Sequence, residues 1–294
     1  MATLIKALYG VVIKVKYFCF SISSNRLNSE TNETESILVS LTSYGRRVHS
    51  TLPYVLISLL RQTYKPNRIV VWLDNSWNDE ILPKKVLRLK KAGVEIRYCN
   101  DMKSFKKLIP SLQEFSNDII ITCDDDLFYS KYMVERLLKA HKQHPKTICC
   151  QLAHGIRFQE GELQPYSQWV EEIFDTEKLV FPLGGSGCLY KSDYLYKDVV
   201  NYGLASELSP KADDVWFFFM GVLNGTKRYV LPFHKDSVIP LDAFYQFFHR
   251  GSSLMEDNLS RGMNDIQIKA VMDYYAINSK MIFKYENNGD ITIL

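Results

Sequence analysis

The sequence predicts an α/β fold built on a mostly parallel, doubly wound sheet, and three observations carry that expectation. Over residues 36–150, short apolar runs rich in β-branched residues alternate with stretches of helical periodicity, the pattern of strands joined by crossover helices. The run Ile119, Ile120, Ile121 is apolar at successive positions, as a strand buried on both faces of a parallel sheet must be. Three carboxylates, Asp124, Asp125 and Asp126, come almost at once after it. In an open α/β sheet, ligands collect beyond the carboxyl ends of the strands.

Taken in order, residues 3–20 are apolar but interrupted by Lys6, Lys14 and Lys16. Three lysines in so short a run disfavour a spanning helix, which wants about 20 predominantly apolar residues. They also interrupt the apolar region a signal peptide needs. The segment reads as a basic apolar helix, either lying in a membrane interface or packed on the body of the protein. Residues 21–35, rich in Ser, Asn, Thr and Glu, read as a linker. The expected organisation is an N-terminal segment and linker over 1–35, then one domain in two halves, 36–150 and 151–294.

A first strand is expected over 37–41, followed by the polar turn Thr42-Ser43-Tyr44-Gly45-Arg46-Arg47. Helical periodicity follows over 52–61, with Leu52, Val55, Leu56, Leu59 and Leu60 on one face. Pro66 punctuates the chain before a second strand, 68–73, that runs out at Asp74. Asp74 reads equally as an acceptor for ribose or base and as a turn residue before Asn75 and Ser76. A basic-faced helix over 84–91, a strand over 94–98 and a helix over 104–115 carrying Lys106 and Lys107 lead into the Ile119 strand. After the triplet come a helix over 131–144 closed by Pro145, and a strand over 147–152.

The second half changes character. Gly184-Gly185-Ser186-Gly187 reads as a flexible loop that lets backbone approach a ligand closely. It lacks the Gly-x-Gly-x-x-Gly spacing of a dinucleotide site and the Lys-Ser/Thr of a P-loop. Asp213-Asp214 runs into an aromatic helix, where Asp213 reads as a cap and leaves Asp214 free for chemistry. A strand over 229–233 and a final helix that follows Asn264-Asp265 and runs through Tyr275 complete the outline.

Composition sets bounds. The 294 residues are 46% hydrophobic and 23% charged, enough for a full core. A net charge of +3 is too mild to argue for nucleic acid. The six cysteines show no Cys-x-x-Cys pair, and several lie in apolar runs where a thiol acts as a small hydrophobe, which favours a reduced, cytoplasmic setting. Sequons at Asn32, Asn224 and Asn258 point the other way, but such triplets arise often by chance.

The acidic triplet carries the chemistry. Three adjacent negative charges repel, and a hard divalent cation offsets that repulsion. Mg²⁺ and Mn²⁺ prefer oxygen ligands, and Mg²⁺ is commonly held by one or two carboxylates together with substrate phosphates. An acidic string on a solvated loop is the bland alternative; the apolar strand before it favours the metal.

From these residues the chain resembles a bacterial glycosyltransferase of the GT-A fold, close to family 2, over roughly residues 36–275. The residues that carry the likeness are the strand end Ser40 to Ser43, the Ser58-Leu-Leu-Arg-Gln62 helix leading to Pro66 and Asp74, the Asp124-Asp125-Asp126 motif, and Asp213-Asp214. The resemblance implies a GT-A, Rossmann-like sheet with a C-terminal acceptor-side region. It implies that Thr42, Tyr44 and Asp74 line a nucleotide pocket, with Lys107 and Asp125 near the donor. Asp124 would face the ribose, Asp126 with Asp124 would bind Mn²⁺ or Mg²⁺, Gly185, Ser186 and Asp213 would border the acceptor, and Asp214 would be the catalytic base. The usual Glu-Asp pair is Asp-Asp here, and the Gln-x-x-Arg-Trp motif of processive polymerases is missing, since Gln246 to Arg250 has the wrong spacing. A C-terminal histidine is a common third metal ligand in such enzymes; His234 and His249 both stand as candidates.

The expected activity is metal-dependent transfer of one hexosyl or N-acetylhexosaminyl group from a nucleotide-diphosphate sugar to a hydroxyl, with inversion, in surface polysaccharide or glycolipid synthesis. The expected partners are the nucleotide-sugar donor, a glycan or glycolipid acceptor and, through the N-terminus, the inner face of a membrane; no nucleic acid is expected. Two rivals come from other classes. A nucleotidyltransferase forming sugar nucleotides usually opens with a Gly-rich basic loop after its first strand, and the loop here has one glycine. A non-catalytic carbohydrate-binding protein of the same fold leaves the acidic pairs unexplained.

Overall fold

The structure, a computed structural model, describes residues 2–18, 35–243, 245 and 262–282. Cys19, the sequons at Asn32 and Asn258, the stretch from Gln246 to Arg250 and His249 lie outside the described residues.

The chain opens with helix α1 (Ala2–Lys16). Strand β1 (Ile37–Thr42) leads through the polar turn into α2 (Arg47–Ser50) and α3 (Leu52–Leu60), which carries Pro53 in its first turn, where a missing N–H costs nothing. Next come β2 (Arg68–Asp74), α4 (Lys84–Lys91) and β3 (Val94–Cys99). The helix expected over 104–115 is two pieces, a 3₁₀ turn at Lys103–Lys107 and α5 (Ile109–Glu114). Pro110 is the reason: it cannot donate an intrahelical bond, so the helix restarts with proline in its first turn.

Strand β4 (Ile119–Cys123) is buried throughout, as expected of a central parallel strand. Beyond it lie β5 (Leu127–Tyr129), α6 (Met133–Gln143), β6 (Thr147–Cys150), β7 (Ala153–Gly155), the small hairpin of β8 (Phe158–Gln159) and β9 (Glu162–Leu163), and β10 (Val170–Ile173). Strands β11 (Val180–Pro182) and β12 (Cys188–Tyr190) flank a 3₁₀ turn, Gly184–Ser186. That turn is buried, where the sequence suggests a flexible loop. Helices α7 (Tyr202–Leu208) and α8 (Asp213–Leu223), strands β13 (Lys227–Val230) and β14 (Val238–Pro240), and helix α9 (Met263–Tyr274) complete the order.

Seven strands form the main sheet in the order β13-β6-β12-β4-β1-β2-β3. The β4-β1-β2-β3 and β13-β6 pairs are parallel, whereas β12 runs antiparallel to both β4 and β6. The sheet is therefore mixed but mostly parallel. A three-residue strand such as β12 leaves too short a trace for sequence periodicity to register.

Side chains alternate across β1. Ile37, Val39 and Leu41 pack into the layer that holds α3, α4, α6 and part of α1, while Leu38 packs with α5 and α8 on the other face. Ser40 shares the Leu38 side and is fully buried. Its hydroxyl lies 2.8 Å from Ser111 Oγ, which also accepts the Trp72 Nε1–H at 2.8 Å. Cys123, Cys149, Cys150 and Cys188 are buried free thiols within strands.

Ser111 holds the polar groups of two central strands. Ser111→Ala should cost about 1–3 kcal/mol, because it strands the Trp72 indole N–H away from water. Urea denaturation checks this; an unchanged midpoint would mean that another group takes up the indole.

Candidate active site

Strand register decides which residues meet. Leu41 of β1 sits opposite Cys123 of β4, so the segments leaving the two strands run side by side. Thr42 pairs with Trp72 of β2 on the other side. The β1 turn, the acidic triplet and Asp74 thereby share the carboxyl edge of the sheet.

The three carboxylates of the triplet take different partners. Asp125 is 3% exposed; its Oδ2 accepts the Ser43 hydroxyl at 2.5 Å and its Oδ1 accepts Arg47 Nη1 at 2.9 Å. Asp126 Oδ2 lies 2.9 Å from Arg47 Nη2, so one guanidinium bridges both groups. Arg47 Nε is 3.9 Å from Asp242, whose close partner is Arg46. Burial raises the pKa of Asp125, and that of Asp126 to about 7, against the opposing pull of Arg47. Burial also works against the Arg47 cation, but Asp126 and Asp125 outweigh it and hold the guanidinium more firmly protonated than usual.

Asp124 turns the other way and keeps 38% of its side chain exposed. Lys107, at the end of the 3₁₀ turn and buried, places Nζ 2.7 Å from Asp124 Oδ1 and 3.2 Å from Asp213 Oδ2. Burial opposes this ammonium, yet Asp124, Asp213 and Asp214 together raise its pKa well above the ordinary lysine value. Asp213 opens α8 with Ala212 at the N-cap and no side-chain cap bond, so it serves as a partner for Lys107, not as the cap its position suggested. Asp214 Oδ1 accepts the Gly184 N–H at 3.0 Å. Burial, and then Asp213, push its pKa up to about 7, with Lys107 pulling the other way.

The buried glycine turn is shaped around these carboxylates. A Cβ on Gly185 would fall 1.8 Å from Asp124 Oδ2, and one on Gly184 would fall 2.8 Å from Asp214 Oδ1. The Asp124 N–H lies 3.0 Å from Gly185 O and 2.7 Å from the Tyr129 hydroxyl, which itself donates to Gly185 O. Thr122 Oγ1 donates to Gly184 O at 2.7 Å.

The residues singled out in sequence thus fall into groups. Lys107, Asp124, Asp213, Asp214 and Gly185 come together directly, whereas Asp125 and Asp126, the next residues in the chain after Asp124, are held by Arg47. Thr42 lies at the same edge but spends its hydroxyl on Trp72 O, at 2.8 Å. Tyr44 is exposed, with the Arg47 guanidinium 5.6 Å from its ring centre. Asp74 accepts the Ser76 N–H at 2.9 Å and the Ser76 hydroxyl, the turn arrangement its neighbours allowed, and Ser76 lowers its pKa. Ser186 Oγ donates to Leu183 O at 2.7 Å, so its hydroxyl faces its own turn.

Asp124 and Asp126 carry the hard oxygen donors that Mg²⁺ or Mn²⁺ prefers, but here each is paired with a different protein cation, Asp124 with Lys107 and Asp126 with Arg47. Among the described residues, no group of three or more His, Cys, Asp or Glu is gathered around one point. His234 is half-buried, in the segment between β13 and β14. Sequence reasoning missed Arg47, Ser43, Tyr129 and Asp242 as site residues. The Arg46-Arg47 pair after β1 was a signal for the first; Asp242 had none, because it arrives through the Leu241 N–H, which donates to Asp126 O at 2.8 Å.

Residues 39–197, more than half of the chain, match the family model described as glycosyl transferase family 2. Among solved structures, the chain is similar to CMP:2-keto-3-deoxy-manno-octonic acid synthetase complexed with CTP, at 11% identity and TM-score 0.47, covering 73% of this chain and 97% of that one. It is similar to 4-diphosphocytidyl-2C-methyl-D-erythritol synthase at 12% identity and TM-score 0.45, again covering 73% and 97%. A mannosyltransferase from Pyrobaculum calidifontis, in complex with GDP-Man and Mn²⁺, is similar at 10% identity and TM-score 0.44, covering 94% and 83%. No curated protein sequence matches the chain.

Arg47→Met would leave Asp125 and Asp126 without their shared cation. Removing one partner of a buried pair costs about 3–5 kcal/mol, and the 24% exposure of Arg47 sets the expectation near the low end. A carboxyl whose pKa is raised by folding binds its proton more tightly in the folded chain, so its contribution to stability falls as pH rises from about 4 to about 7. The deficit of the variant should therefore be smaller at pH 5 than at pH 8, as read by denaturant titration. An equal deficit at both would exclude carboxylate repulsion as its cause.

Proposed function

The chain belongs to glycosyl transferase family 2, whose members transfer sugar from a nucleotide sugar, and on that premise we propose that it adds a single hexosyl or N-acetylhexosaminyl group to a hydroxyl with inversion at the anomeric carbon. Its seven-stranded, mostly parallel sheet flanked by helices is GT-A-like. In this reading residues 36–150 hold the donor and residues 151–294 hold the acceptor and the base. The product is a surface polysaccharide or glycolipid intermediate, made at the inner face of a membrane.

One observation supports the assignment above the others: Lys107 joins Asp124, on the donor side, to Asp213 at the start of α8, next to the proposed base. Donor and acceptor chemistry would then share one charged centre. Thr42, Tyr44 and Asp74 border the nucleotide, and Asp125, locked by Ser43 and Arg47, keeps the turn after β1 in register with the triplet. Asp124 and Asp126 would hold Mg²⁺ or Mn²⁺. When bound, that cation supplies positive charge to offset the negative charge on the departing nucleoside diphosphate.

Asp214 is the proposed general base. A carboxylate with a pKa near 7 accepts a proton far better than an ordinary one while remaining largely ionised at mildly alkaline pH. The Gly184 N–H engages Oδ1 and fixes the orientation of the group. Gly185, Ser186 and Asp213 border the acceptor; the buried turn presents backbone there, since the Ser186 hydroxyl is already spent.

Incubation with a panel of nucleotide sugars and Mn²⁺, then assay of donor cleavage and of the anomeric product, tests the whole reading; a retained anomer would reject inversion. Asp214→Asn should bind donor normally yet transfer about 10²–10⁴-fold more slowly. Transfer by the wild type should rise as pH passes through about 7 and then level off, because the base acts only when ionised. That rise should vanish in Asp214→Asn, and its persistence would assign the base elsewhere. Asp126→Ala should keep its fold and lose cation-dependent turnover; full activity would remove Asp126 from the cation site.

A further inference from the structure

Helix α1 has two apolar faces, and only one of them is covered. Gly10 lies so near Pro240 of β14 that a Cβ there would come within 2.5 Å of its carbonyl oxygen. On the same side Ile13 and Tyr17 join the core, with the Tyr17 ring stacked on Phe128 at 5.4 Å. The opposite side carries Leu8, Val11, Val12 and Val15, with Tyr9 beside them and Phe18 just past the helix end, all exposed; Val15 reaches 73%. At about 100° per residue these side chains form one continuous arc with the exposed Lys16 inside it, between Val12 and Tyr9, while Lys14 lies past the other edge, half-buried beside Asp242. No acidic residue occurs in α1.

We propose that this face of α1 docks on an anionic lipid surface, lying in the plane of the interface. The helix has the build such docking requires: apolar side chains across the exposed face, Lys16 among them with an ammonium group that reaches lipid phosphates, and no carboxylate on the helix to be repelled. No helix among the described residues is long and apolar enough to cross a membrane, so the contact is one of surface attachment. Charge decides the occupant: a second copy of the chain would set Lys16 against its own copy with no carboxylate on the face to answer it, whereas an anionic bilayer complements it.

The placement of α1 ties the docking to the site. The helix packs on β14, and the next residues supply Leu241 N–H to Asp126 O and Asp242 to Arg46. A docked α1 would hold the acidic edge of the sheet beside the lipid surface, where an acceptor carried on a lipid would arrive. That last step rests on the sugar-transfer reading, whereas the docking does not.

Co-sedimentation of the full chain with vesicles tests the proposal. Binding is expected to vesicles of phosphatidylcholine containing about a third phosphatidylglycerol, to fall with added salt as surface charge is screened, and to be at least tenfold weaker to phosphatidylcholine alone. Val12→Asp/Val15→Asp should lose binding tenfold or more with an unchanged melting temperature, and Lys16→Glu should weaken only the anionic-vesicle binding. A wild type that stays in the supernatant, or a double variant that binds as well, would overturn the docking. So would a chain that dimerises through this face, losing the dimer in the double variant without ever binding vesicles. Transfer to a soluble acceptor is read separately: its absence beside intact vesicle binding would count against the function and leave the docking standing.

Discussion

A half-buried arginine and a buried lysine hold together a cluster of carboxylates that would otherwise repel itself. Asp124, Asp125, Asp126, Asp213 and Asp214 converge at the carboxyl edge of the sheet, where water is scarce and like charges interact strongly. Arg47 answers Asp125 and Asp126; Lys107 answers Asp124 and Asp213. Neither cation is on the strand that carries the triplet. Each comes from a segment next to it in space, so the arrangement requires the β4-β1-β2 order and the 3₁₀ turn before α5.

The antiparallel strand β12 supplies the second half of the centre. By pairing with β4 and β6 it brings the Gly184–Ser186 turn against the end of β4, and the turn in turn meets α8. Gly184 and Gly185 are needed because two carboxylates occupy the space a side chain would take. Close packing of carboxylates against backbone also removes water from Asp214. The high proton affinity of that group comes from its burial and from Asp213, while the Gly184 N–H that orients it pulls the other way.

The N-terminal helix stands apart from this core and still bears on it. One face is absorbed into the layer beneath α3 and β5; the other remains apolar, with Lys16 among its side chains. Through β14 it adjoins the backbone that contacts Asp126. The proposed docking face and the acidic edge are therefore joined by a short structural path.

Much of this was legible in the residues themselves. Apolar runs of β-branched residues determined where β1, β2, β3 and β4 lie, helical periodicity located α3, α4 and α6, and the Asp124 to Asp126 triplet marked the edge of the sheet where the carboxylates gather. These features are local: they depend on spacing along the chain and on the residue types just past a buried strand. Proline broke the expectation over 104–115, and a three-residue antiparallel strand escaped it, because neither leaves a periodic pattern. Only the tertiary structure decided which cation meets which carboxylate, that Asp213 binds Lys107 and caps nothing, that the glycine turn is buried, and that Asp242 joins the site at all. Those outcomes depend on strand order and register between segments far apart in sequence, and ion pairs of that kind have no counterpart in local spacing.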